Sequence, residues 1–426
     1  MITHPVLQRL TGAGVRLGLE RVQAFLHALG DPHLAVPVVH VAGTNGKGST
    51  CSFLEAALVA AGFRVGVYTS PHLQQVNERI RVQGRPISDE ALSQLLDEVA
   101  GRAKVWATDE LPALDREAWP LTYFEAMTAG AFLHLSRQQL DVAIIEVGLG
   151  GRLDATNVAS SSVSAITSVG LDHCDKLGPD HASVAGEKAG ILRTDVPAVI
   201  GPLSREALAV VRSMAGERGT PLVVAGRDYR TEGRSDDFDF EGLGLHLRGL
   251  KSGLPGRHQV ENAGVAIAVL HALGVTHPEL QVPEAALRHG LAHAMNPGRC
   301  EWLSSNLLVD GAHNEEGARC LADYLRELPR PARRTLLLGM GADKDPRTVA
   351  AALSGVVDRV FTTSCRHPRA QTPGGLAEAL VGLDVPVMPA GPVEDALPMA
   401  RDGGGLVVVA GSLYLAGAVR DLVGAT

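Results

Sequence analysis

Short apolar runs alternate with amphipathic stretches along most of this 426-residue chain, a pattern typical of strands alternating with helices. Capping residues and glycines mark where the amphipathic stretches begin and end. Residues 105–120 contain prolines and are predicted to be irregular. The other elements of the first part are predicted, in chain order, as a helix at 16–29, a strand beginning at Val38, a strand at 64–68, helices at 88–101 and 122–138, and strands at 141–147 and 163–169.

The same alternation continues to the carboxyl terminus. Residues 226–254 instead alternate with a period of two, which predicts a small antiparallel insert. The remaining elements are predicted as a helix at 181–192, a strand–helix–strand unit at 196–224, helices at 258–273 and 282–295, and strands near 301–309, 335–339, 358–363, 385–388 and 405–410 with helices between them.

This succession predicts an α/β protein with two domains, because one core rarely serves so long a chain. The chain turns at Asn296-Pro297-Gly298, so we expect a larger domain of residues 1–296 and a smaller α/β domain of residues 297–426. Both are expected to be open, mostly parallel sheets that bind ligands at the carboxyl ends of their strands. A cleft between the two domains would then hold the substrate.

Composition narrows the possible functions. Hydrophobic residues make up 45% of the chain and charged residues 20%, as in a compact globular protein. The formal net charge of -8, without a concentrated basic stretch, argues against nucleic-acid binding. Five scattered cysteines without a C-x-x-C pair indicate reduced thiols, and no apolar run is long enough to span a bilayer. We expect a cytoplasmic monomer that binds neither nucleic acid nor membrane.

The first candidate for chemistry is the glycine-rich turn after the strand at Val38. Its sequence, Gly43-x-x-Gly46-Lys47-x-Ser49, is a shortened variant of the P-loop pattern. Glycines admit backbone N–H groups close to phosphate oxygens, the helix N-terminus favours negative charge, and Lys47 adds a cation. A hydroxyl from Ser49 or Thr50 would bind a magnesium ion. An ordinary strand-to-helix turn is the alternative interpretation.

Polar residues end three further predicted strands, at the edge of the sheet where Ser49 is expected. These residues are Ser70, Glu146 and His173. A buried carboxylate is costly unless it is paired or bound to a metal, so the set fits a magnesium site near the phosphates. Imidazole is an unusual magnesium ligand, and a lone histidine at such a position is more often structural.

A second glycine-rich loop, Gly148-Leu149-Gly150-Gly151-Arg152-Leu153, follows the strand that ends near Glu146. It lacks the third glycine of a dinucleotide fingerprint and precedes no predicted helix, so we reject NAD binding. The loop is either a flexible turn or a substrate loop carrying Arg152 and Asp154, and its glycine density favours the substrate loop. Lys188, in a predicted helix, is by default an exposed lysine.

In the second domain, Asp310-Gly311-Ala312-His313-Asn314 ends an apolar strand and opens a helix. Asn314 could be the helix cap. Asp310 and His313, at a strand end facing the expected cleft, are candidate ligand-binding residues. Arg299 is either a phosphate clamp or a surface arginine.

Together these motifs resemble one family, the folylpolyglutamate and dihydrofolate synthases of the Mur-ligase superfamily. The resemblance extends from about residue 18 to the carboxyl terminus. Many long motifs in the right order make it specific. They occupy residues 40–49, 69–73, 78–80, 121–125, 146–157, 186–191, 256–259, 262–263 and 310–314.

The resemblance implies a P-loop-type ATPase domain followed by a smaller Rossmann-like domain. It implies catalytic roles for Lys47, Lys188 and His313, with Lys188 carbamylated, because a CO2 adduct is an anionic oxygen ligand whereas an ammonium would repel magnesium. The other implied roles are ATP binding by Asn45, Gly46, Lys47, Gly48, Ser49, Asn262, Arg299 and Asp310, two magnesium ions at Ser49, Ser70, Glu146 and His173, and a pterin-substrate pocket at Thr122, Tyr123, Phe124, Glu125, Arg152, Leu153 and Asp154.

The reaction that the resemblance implies is ATP-dependent amide formation. The acceptor carboxylate attacks the γ-phosphate of ATP to give an acyl phosphate and ADP, and the amine of L-glutamate then displaces phosphate. Lys47, magnesium and Arg299 would neutralise the two anions that meet in the first step. The acceptor is dihydropteroate, a reduced folate or both, and the motifs at 121–125 and 152–157 look like the bifunctional type.

Three alternatives stay open at this stage. The first is a monofunctional folylpolyglutamate synthase. The second is a Mur ligase of the cell wall, which would normally bring a further N-terminal domain for a UDP group, whereas only a short stretch precedes the P-loop here. The third is a non-catalytic nucleotide switch, against which the density of metal-ligand candidates argues.

Overall fold

The structure is a computed structural model that describes residues 4–10, 16, 18–110 and 121–425. It is a two-domain α/β fold with mostly parallel sheets. The chain divides into two compact units, of which unit 1 runs to Glu232 and adds Asp237–Ser252 and Glu261–Ala294, and unit 2 comprises Gly233–Asp236, Gly253–Val260 and Met295–Thr426.

An eight-stranded sheet forms the centre of unit 1 within the described ranges. Its strands are β1 (Val38–Ala42), β2 (Val65–Tyr68), β3 (Ile80–Val82), β4 (Arg85–Pro86), β5 (Val142–Glu146), β6 (Ser161–Ile166), β7 (Ala198–Ile200) and β8 (Leu222–Val224). Their order is β4-β3-β2-β5-β1-β6-β7-β8. All neighbours from β2 to β8 are parallel, and β3 and β4 add an antiparallel edge. Such a non-sequential parallel order is typical of doubly wound α/β sheets.

Helices cover this sheet, and their apolar residues pack with those of the strands in buried clusters. One cluster includes Phe25, Leu96, Phe132 and Ile145, and another includes Ile166, Val184 and Val211 among its members. The helices are α1 (Pro5–Leu10), α2 (Glu20–Ala28), α3 (Lys47–Ala60), α4 (Asp89–Glu110), α5 (Tyr123–Ser136), α6 (Cys174–Leu177), α7 (His181–Ala189), α8 (Arg205–Arg218), α9 (Arg257–Thr276), which begins in unit 2, and α10 (Glu284–His293).

Two predictions about the amino-terminal helices need correction. The helix predicted at 16–29 begins at Glu20, and residue 17 of the predicted range lies outside the described residues. Residues 105–110, predicted to be irregular, continue α4, because Ala103, Trp106 and Ala107 extend its buried face at helical spacing. Residues 111–120 of the predicted irregular segment lie outside the described residues.

The predicted antiparallel insert is present in residues 229–250. It consists of β9 (Tyr229–Arg234), β10 (Asp237–Gly242) and β11 (Leu245–Leu250), in the order β11-β10-β9. Phe238, Phe240 and Leu247 are buried, which explains the period of two in the sequence. No helix in the described part of the chain is both long enough and apolar enough to cross a membrane.

A six-stranded sheet forms the centre of unit 2 within the described residues. Its strands are β12 (Glu301–Ser304), β13 (Leu307–Val309), β14 (Arg334–Leu338), β15 (Arg359–Ser364), β16 (Val387–Pro392) and β17 (Leu406–Ala410), in the order β12-β13-β17-β14-β15-β16. All neighbours from β13 to β16 are parallel. The helices after these strands are α11 (Glu315–Glu327), α12 (Pro346–Ser354), α13 (Pro373–Ala379), α14 (Val393–Arg401) and α15 (Leu413–Val423).

The single strand predicted at 301–309 is wrong, because this segment is a hairpin of β12 and the antiparallel β13. The polar residues Ser304, Ser305 and Asn306 interrupt the apolar run, and Ser304 Oγ donates to Asn306 Oδ1 at 2.7 Å across the turn. β13 keeps the predicted place, leading directly into Asp310.

Candidate functional site

The carboxyl ends of four neighbouring strands form one edge of the unit 1 sheet. In the order β2-β5-β1-β6, these strands lead to Ser70, to Glu146, to the loop at 43–49 and to His173. Neighbouring strands lie about 4.8 Å apart, so β2 and β6 are about 14 Å from each other along this edge. The topology therefore brings the segments that contain Ser49, Ser70, Glu146 and His173 to one edge of a single sheet.

Lys47 begins α3 directly after the glycine-rich loop. Its Nζ donates to the carbonyl oxygens of Gly43 at 3.0 Å and Thr44 at 3.2 Å. Among the described residues no carboxylate forms an ion pair with Lys47. The ammonium thus lies over the loop with its charge uncompensated, which suits an incoming polyanion.

Two glycines of this loop are required by close approach. A Cβ on Gly46, whose φ is +84°, would lie 2.3 Å from Asn262 Oδ1. A Cβ on Gly43 would lie 1.9 Å from Thr167 Oγ1. Both distances are far below van der Waals contact, so side chains are excluded at these positions. Asn262, predicted to bind ATP, is thereby placed directly against the loop.

The loop is also held by hydrogen bonds to the residues after β6. Thr44 Oγ1 donates to the carbonyl of Gly170 at 3.0 Å and accepts from its amide at 2.9 Å. The Asn45 amide donates to Ser168 Oγ at 2.9 Å, and Thr167 Oγ1 donates to the carbonyl of Asn45 at 2.6 Å. Side chains and backbone groups of the protein itself therefore hold the conformation of this loop.

Glu146 is a buried carboxylate at this edge. It is 4% exposed, and its Oε2 accepts from the Ser70 amide at 3.0 Å. Ser49 is also buried, and His173, with φ +51°, has its Nε2 3.9 Å from Asp172 Oδ1. No group of three or more His, Cys, Asp or Glu side chains suited to a metal occurs in the described ranges. One carboxylate with hydroxyl groups nevertheless fits a hard cation that takes its other ligands from phosphate and water.

Lys188 is 2% exposed, so its default interpretation as an exposed lysine is wrong. It lies on the inner face of α7 with Val184, Ala185 and Ala189, which are fully buried. Helical spacing places these positions on one side of the helix, and that side packs against the sheet. A buried lysine requires a compensating partner or a chemical modification.

Side-chain hydrogen bonds hold the conformation of the second glycine-rich loop. Asp154, 5% exposed, accepts from the amides of Leu149 at 2.8 Å and Thr156 at 3.0 Å, and from Thr156 Oγ1 at 2.5 Å. Burial raises the pKa of Asp154, and these hydrogen bonds oppose the rise. Asn157 Nδ2 donates to the carbonyls of Arg152 at 3.0 Å and Gly190 at 3.2 Å. These contacts hold the loop in one conformation, and its assignment as a substrate loop stays a prediction.

Some of the predicted pocket residues have structural partners in the fold. Thr122 caps α5 and exchanges hydrogen bonds with Glu125, whose carboxylate also accepts from Arg21 at 2.8 Å. Arg152 pairs with Glu187 at 2.7 Å while half exposed. Leu153, also in the predicted pocket, is partly buried. Thr122 and Glu125 therefore form the N-terminal cap of α5.

Aromatic residues at the start of α5 contact the two neighbouring strand ends. A Cβ on Gly148 would lie 2.3 Å from Phe124 Cζ, so the ring lies flat against this glycine. Phe124 also stacks on Tyr68 with ring centroids 6.2 Å apart, and the Arg79 guanidinium lies 5.4 Å from the centre of the Tyr123 ring. A flat aromatic surface beside a buried cation suits a conjugated, anionic ligand.

In unit 2, Asp310 follows β13 and is 7% exposed. It accepts from the amides of Cys300 and Ala312, both at 2.7 Å. His313 Nδ1 donates to the carbonyl of Gly311 at 2.8 Å. Asn314 caps α11 by accepting from the Gly317 amide at 2.9 Å, so its interpretation as a cap is confirmed.

Arg299 and His258 lie near this carboxylate within unit 2. A Cβ on Gly311 would be 3.1 Å from Arg299 Nη1, which places the guanidinium over the turn after β13. Burial lowers the pKa of His258, Asp310 opposes the change and Arg299 adds to it. Sequence reasoning did not associate His258 or Asn157 with the site, and their presence in the quoted motifs was the one signal available.

Known proteins resemble this chain in sequence and in fold. Residues 298–413 match the family model described as Mur ligase, glutamate ligase domain. The dihydrofolate synthase/folylpolyglutamate synthase of Escherichia coli K12 is 39% identical over 376 residues, which cover 88% of this chain and 84% of that protein. The structure of E. coli FolC in complex with DHPP and ADP has a TM-score of 0.88 at 36% identity, covering 98% of this chain and 96% of that chain. A bifunctional folylpolyglutamate synthase/dihydrofolate synthase with Mn, AMPPNP and L-glutamate bound has a TM-score of 0.86 at 35% identity, covering 99% and 98%.

Proposed function

Because this chain belongs to the dihydrofolate synthase/folylpolyglutamate synthase family, we propose that it adds L-glutamate both to dihydropteroate and to the γ-glutamyl tail of reduced folates. It is an ADP-forming ligase that uses ATP and a divalent metal ion. Both activities are proposed because the E. coli relative is named for both. A cell-wall ligase or a nucleotide switch would not account for a relative with L-glutamate bound.

The observation that carries this proposal is the glycine-rich loop at 43–49, whose Lys47 donates to loop carbonyls and forms no ion pair among the described residues. In the proposed mechanism, loop amides and Lys47 hold the phosphates of ATP while the acceptor carboxylate attacks the γ-phosphate. Lys47 offsets the repulsion between these two anions. ADP leaves, and the amine of L-glutamate then attacks the acyl carbon and expels phosphate. Asn262 and the amides of Asn45, Gly46 and Gly48 are assigned to the nucleotide.

Mg2+ is the proposed metal, in two sites drawn from Ser49, Ser70, Glu146 and His173. When bound, it would neutralise charge on the transferred phosphoryl group. The buried oxygen donors at this edge support the assignment, although the imidazole is an unusual ligand for this ion. Carbamylation of Lys188 is also proposed, because its burial disfavours an ammonium and a carbamate would present anionic oxygen to the metal.

The acceptor is assigned to the aromatic surface at Tyr123 and Phe124 together with the loop that contains Leu153 and Asp154. The hydrogen bonds of Asp154 support a positioning role for that carboxylate. Thr122 and Glu125 would act indirectly, by fixing the start of α5. Arg152 would also act indirectly, because its ion pair with Glu187 joins the second glycine-rich loop to α7.

The roles assigned to unit 2 rest on the family resemblance. Arg299 and Asp310 are proposed to bind the nucleotide, and His313 is proposed to act near the reacting groups. The acyl phosphate reacts readily with water, so a step that excludes water before glutamate arrives is expected. A domain boundary at residue 296, a monomeric state and a cytoplasmic location stay predictions.

The experiment is to measure ADP release with ATP, Mg2+ and L-glutamate, offering dihydropteroate and tetrahydrofolate in separate reactions. Turnover with both acceptors is expected. Turnover with tetrahydrofolate alone would make the protein a polyglutamate-extending enzyme and refute the assignment of 122–125 and 153–154 to dihydropteroate. No turnover with either acceptor would refute the proposed function.

A further inference from the structure

His40 lies in β1, three positions before the loop that we assign to ATP, and it is fully buried. Its Nε2 lies 2.9 Å from Thr156 Oγ1, which follows the second glycine-rich loop. Its Nδ1 is buried without a hydrogen-bond partner among the described residues. Thr156 Oγ1 lies 2.5 Å from Asp154 Oδ1. These contacts form a buried chain of three side chains, His40–Thr156–Asp154, that joins β1 to the second glycine-rich loop.

The direction of these hydrogen bonds follows from the unpartnered Nδ1. If Thr156 donates to an ionised Asp154, it must accept from His40, so the ring proton is on Nε2 and Nδ1 carries a lone pair. In the reverse order, a protonated Asp154 would donate to Thr156, and His40 would have a buried Nδ1–H without an acceptor. Orphaned buried N–H groups are rarer in proteins than under-satisfied acceptors, which favours the first arrangement.

Charge around His40 agrees with that arrangement. Burial, with a further contribution from the positive charge of Arg193, lowers the pKa of His40 to about 3, so the ring is neutral at neutral pH. Asp154 is contacted by the donors Leu149 N and Thr156 N as well as the hydroxyl, which together suit a carboxylate. Its second oxygen is the acceptor for the Leu149 amide.

We propose that His40 is a positioning residue for the acceptor substrate, acting through Thr156 on Asp154 and hence on the loop at 148–154. This inference rests on the proposed function, in which that loop binds the acceptor. The ATP loop has separate supports, because Thr44 and Asn45 bond to residues after β6. Loss of the His40 donor is therefore expected to disturb acceptor binding much more than ATP binding.

Two matched pairs of variants test the hydrogen-bonded series His40–Thr156–Asp154. His40→Leu removes the donor at similar volume, whereas His40→Gln keeps an amide donor near the Nε2 position. Thr156→Val removes the hydroxyl, whereas Thr156→Ser keeps it. In the first member of each pair, the KM for dihydropteroate is expected to rise about tenfold while the KM for ATP changes less than about twofold, and the second member is expected to recover most of the loss. Equal rises in both KM values, or no recovery in the conservative variants, would overturn the proposal.

Two measurements on the full chain are independent of turnover. Nitrogen-15 chemical shifts of the His40 ring in the unmodified protein are expected to report a proton on Nε2, and a proton on Nδ1 would overturn the proposal. Hydrogen exchange of residues 147–157 is expected to accelerate in His40→Leu and in Thr156→Val but not in the conservative variants. If His40→Leu fails to fold, the Thr156 pair decides the result. If the unmodified protein releases no ADP with either acceptor, the proposed function fails. The two measurements above still show whether His40 holds the loop at 148–154 through Thr156 and Asp154.

Discussion

Unit 1 holds two glycine-rich loops at the ends of neighbouring strands, and they differ in the charge that they carry. Both loops require glycine, because a Cβ on Gly43, Gly46 or Gly148 would lie too close to a neighbouring side chain. Both are also held by side-chain hydrogen bonds. Among the described residues, however, the lysine of the first loop, at 43–49 after β1, forms no ion pair with a carboxylate, whereas the second loop, at 148–154 after β5, buries a carboxylate among donors.

This difference teaches what each loop is suited to bind. A loop of close-packed backbone with one lysine presents N–H groups and positive charge, which fit a phosphate chain of any attached nucleotide. A loop held by Asp154 and Asn157 has a defined shape, and its exposed cation, Arg152, is paired with Glu187, which fits discrimination between flat organic substrates. Substitutions should therefore affect catalysis most in the first loop and acceptor selection in the second.

Lys47→Ala tests the chemical side of this comparison and is expected to have the largest effect. Removal of the cation should lower the turnover number by about a thousandfold or more, because Lys47 is the full positive charge that the loop brings to the phosphates. The thermal unfolding midpoint should change little, since within the described part of the chain Lys47 donates only to two loop carbonyls. Lys104→Ala, an exposed lysine of α4, is the control. Near-normal turnover in Lys47→Ala would refute the ATP assignment.

Lys188→Ala tests the metal site that we propose at the strand ends near the two loops. Activity is expected to fall about a hundredfold, because an anionic oxygen near the metal is lost. Short carboxylic acids added to the assay are expected to restore part of it by occupying the space of the carbamate. The matched control is Lys47→Ala with the same acids, which should show no recovery. An inactive Lys188→Ala that no acid rescues would leave carbamylation without support.

Gly46→Ala tests the claim that the first loop depends on missing side chains. A Cβ at φ +84° and 2.3 Å from Asn262 Oδ1 is expected to lower the free energy of unfolding by about 3 kcal/mol and to weaken ATP binding. Gly101→Ala, in α4 with open space around its Cβ position, should be neutral or slightly stabilising. Chemical denaturation of both variants measures the difference. Equal stability of the two variants would contradict the account of the loop.

His40→Gln gives the smallest expected effect, a change in how stability depends on pH. Because the pKa of His40 falls from 6.5 to about 3 on folding, its contribution to stability is present above pH 6.5 and is lost as the pH falls toward 3. The unmodified protein should therefore lose about 3 kcal/mol more stability between pH 7 and pH 4 than His40→Gln does, while the two differ little at pH 7. His246→Gln, an exposed position, is the control. Parallel pH profiles for His40→Gln and the unmodified protein would show that the ring is not held neutral.

Candidate site residues at the strand ends could be predicted from the sequence, because parallel strands place their carboxyl ends at one edge of a sheet. The glycine-rich turn before Lys47, and Asp310 after an apolar strand, were visible in this way. The burial of Lys188 was not, because it depends on which face of α7 packs against the sheet. The hairpin at 301–309 was missed because β12 and β13 are each too short to show their own period.

Single sequence patterns also could not reveal pairings between distant segments. Thr156 meets His40 across 116 positions of sequence, and Asn157 contacts the carbonyl of Gly190. Neither residue differs from an ordinary polar loop residue until the fold brings the partners together. For the same reason the capping exchange between Thr122 and Glu125 separates structural residues from ligand-binding ones only in the structure.

The most direct test of the central claim is the dependence of ADP release on L-glutamate in the presence of ATP, Mg2+ and dihydropteroate. The account predicts sustained release only when both glutamate and the acceptor are present, with one ADP formed for each glutamate incorporated. Sustained release that is independent of glutamate would contradict it, because ATP would then be hydrolysed without amide formation.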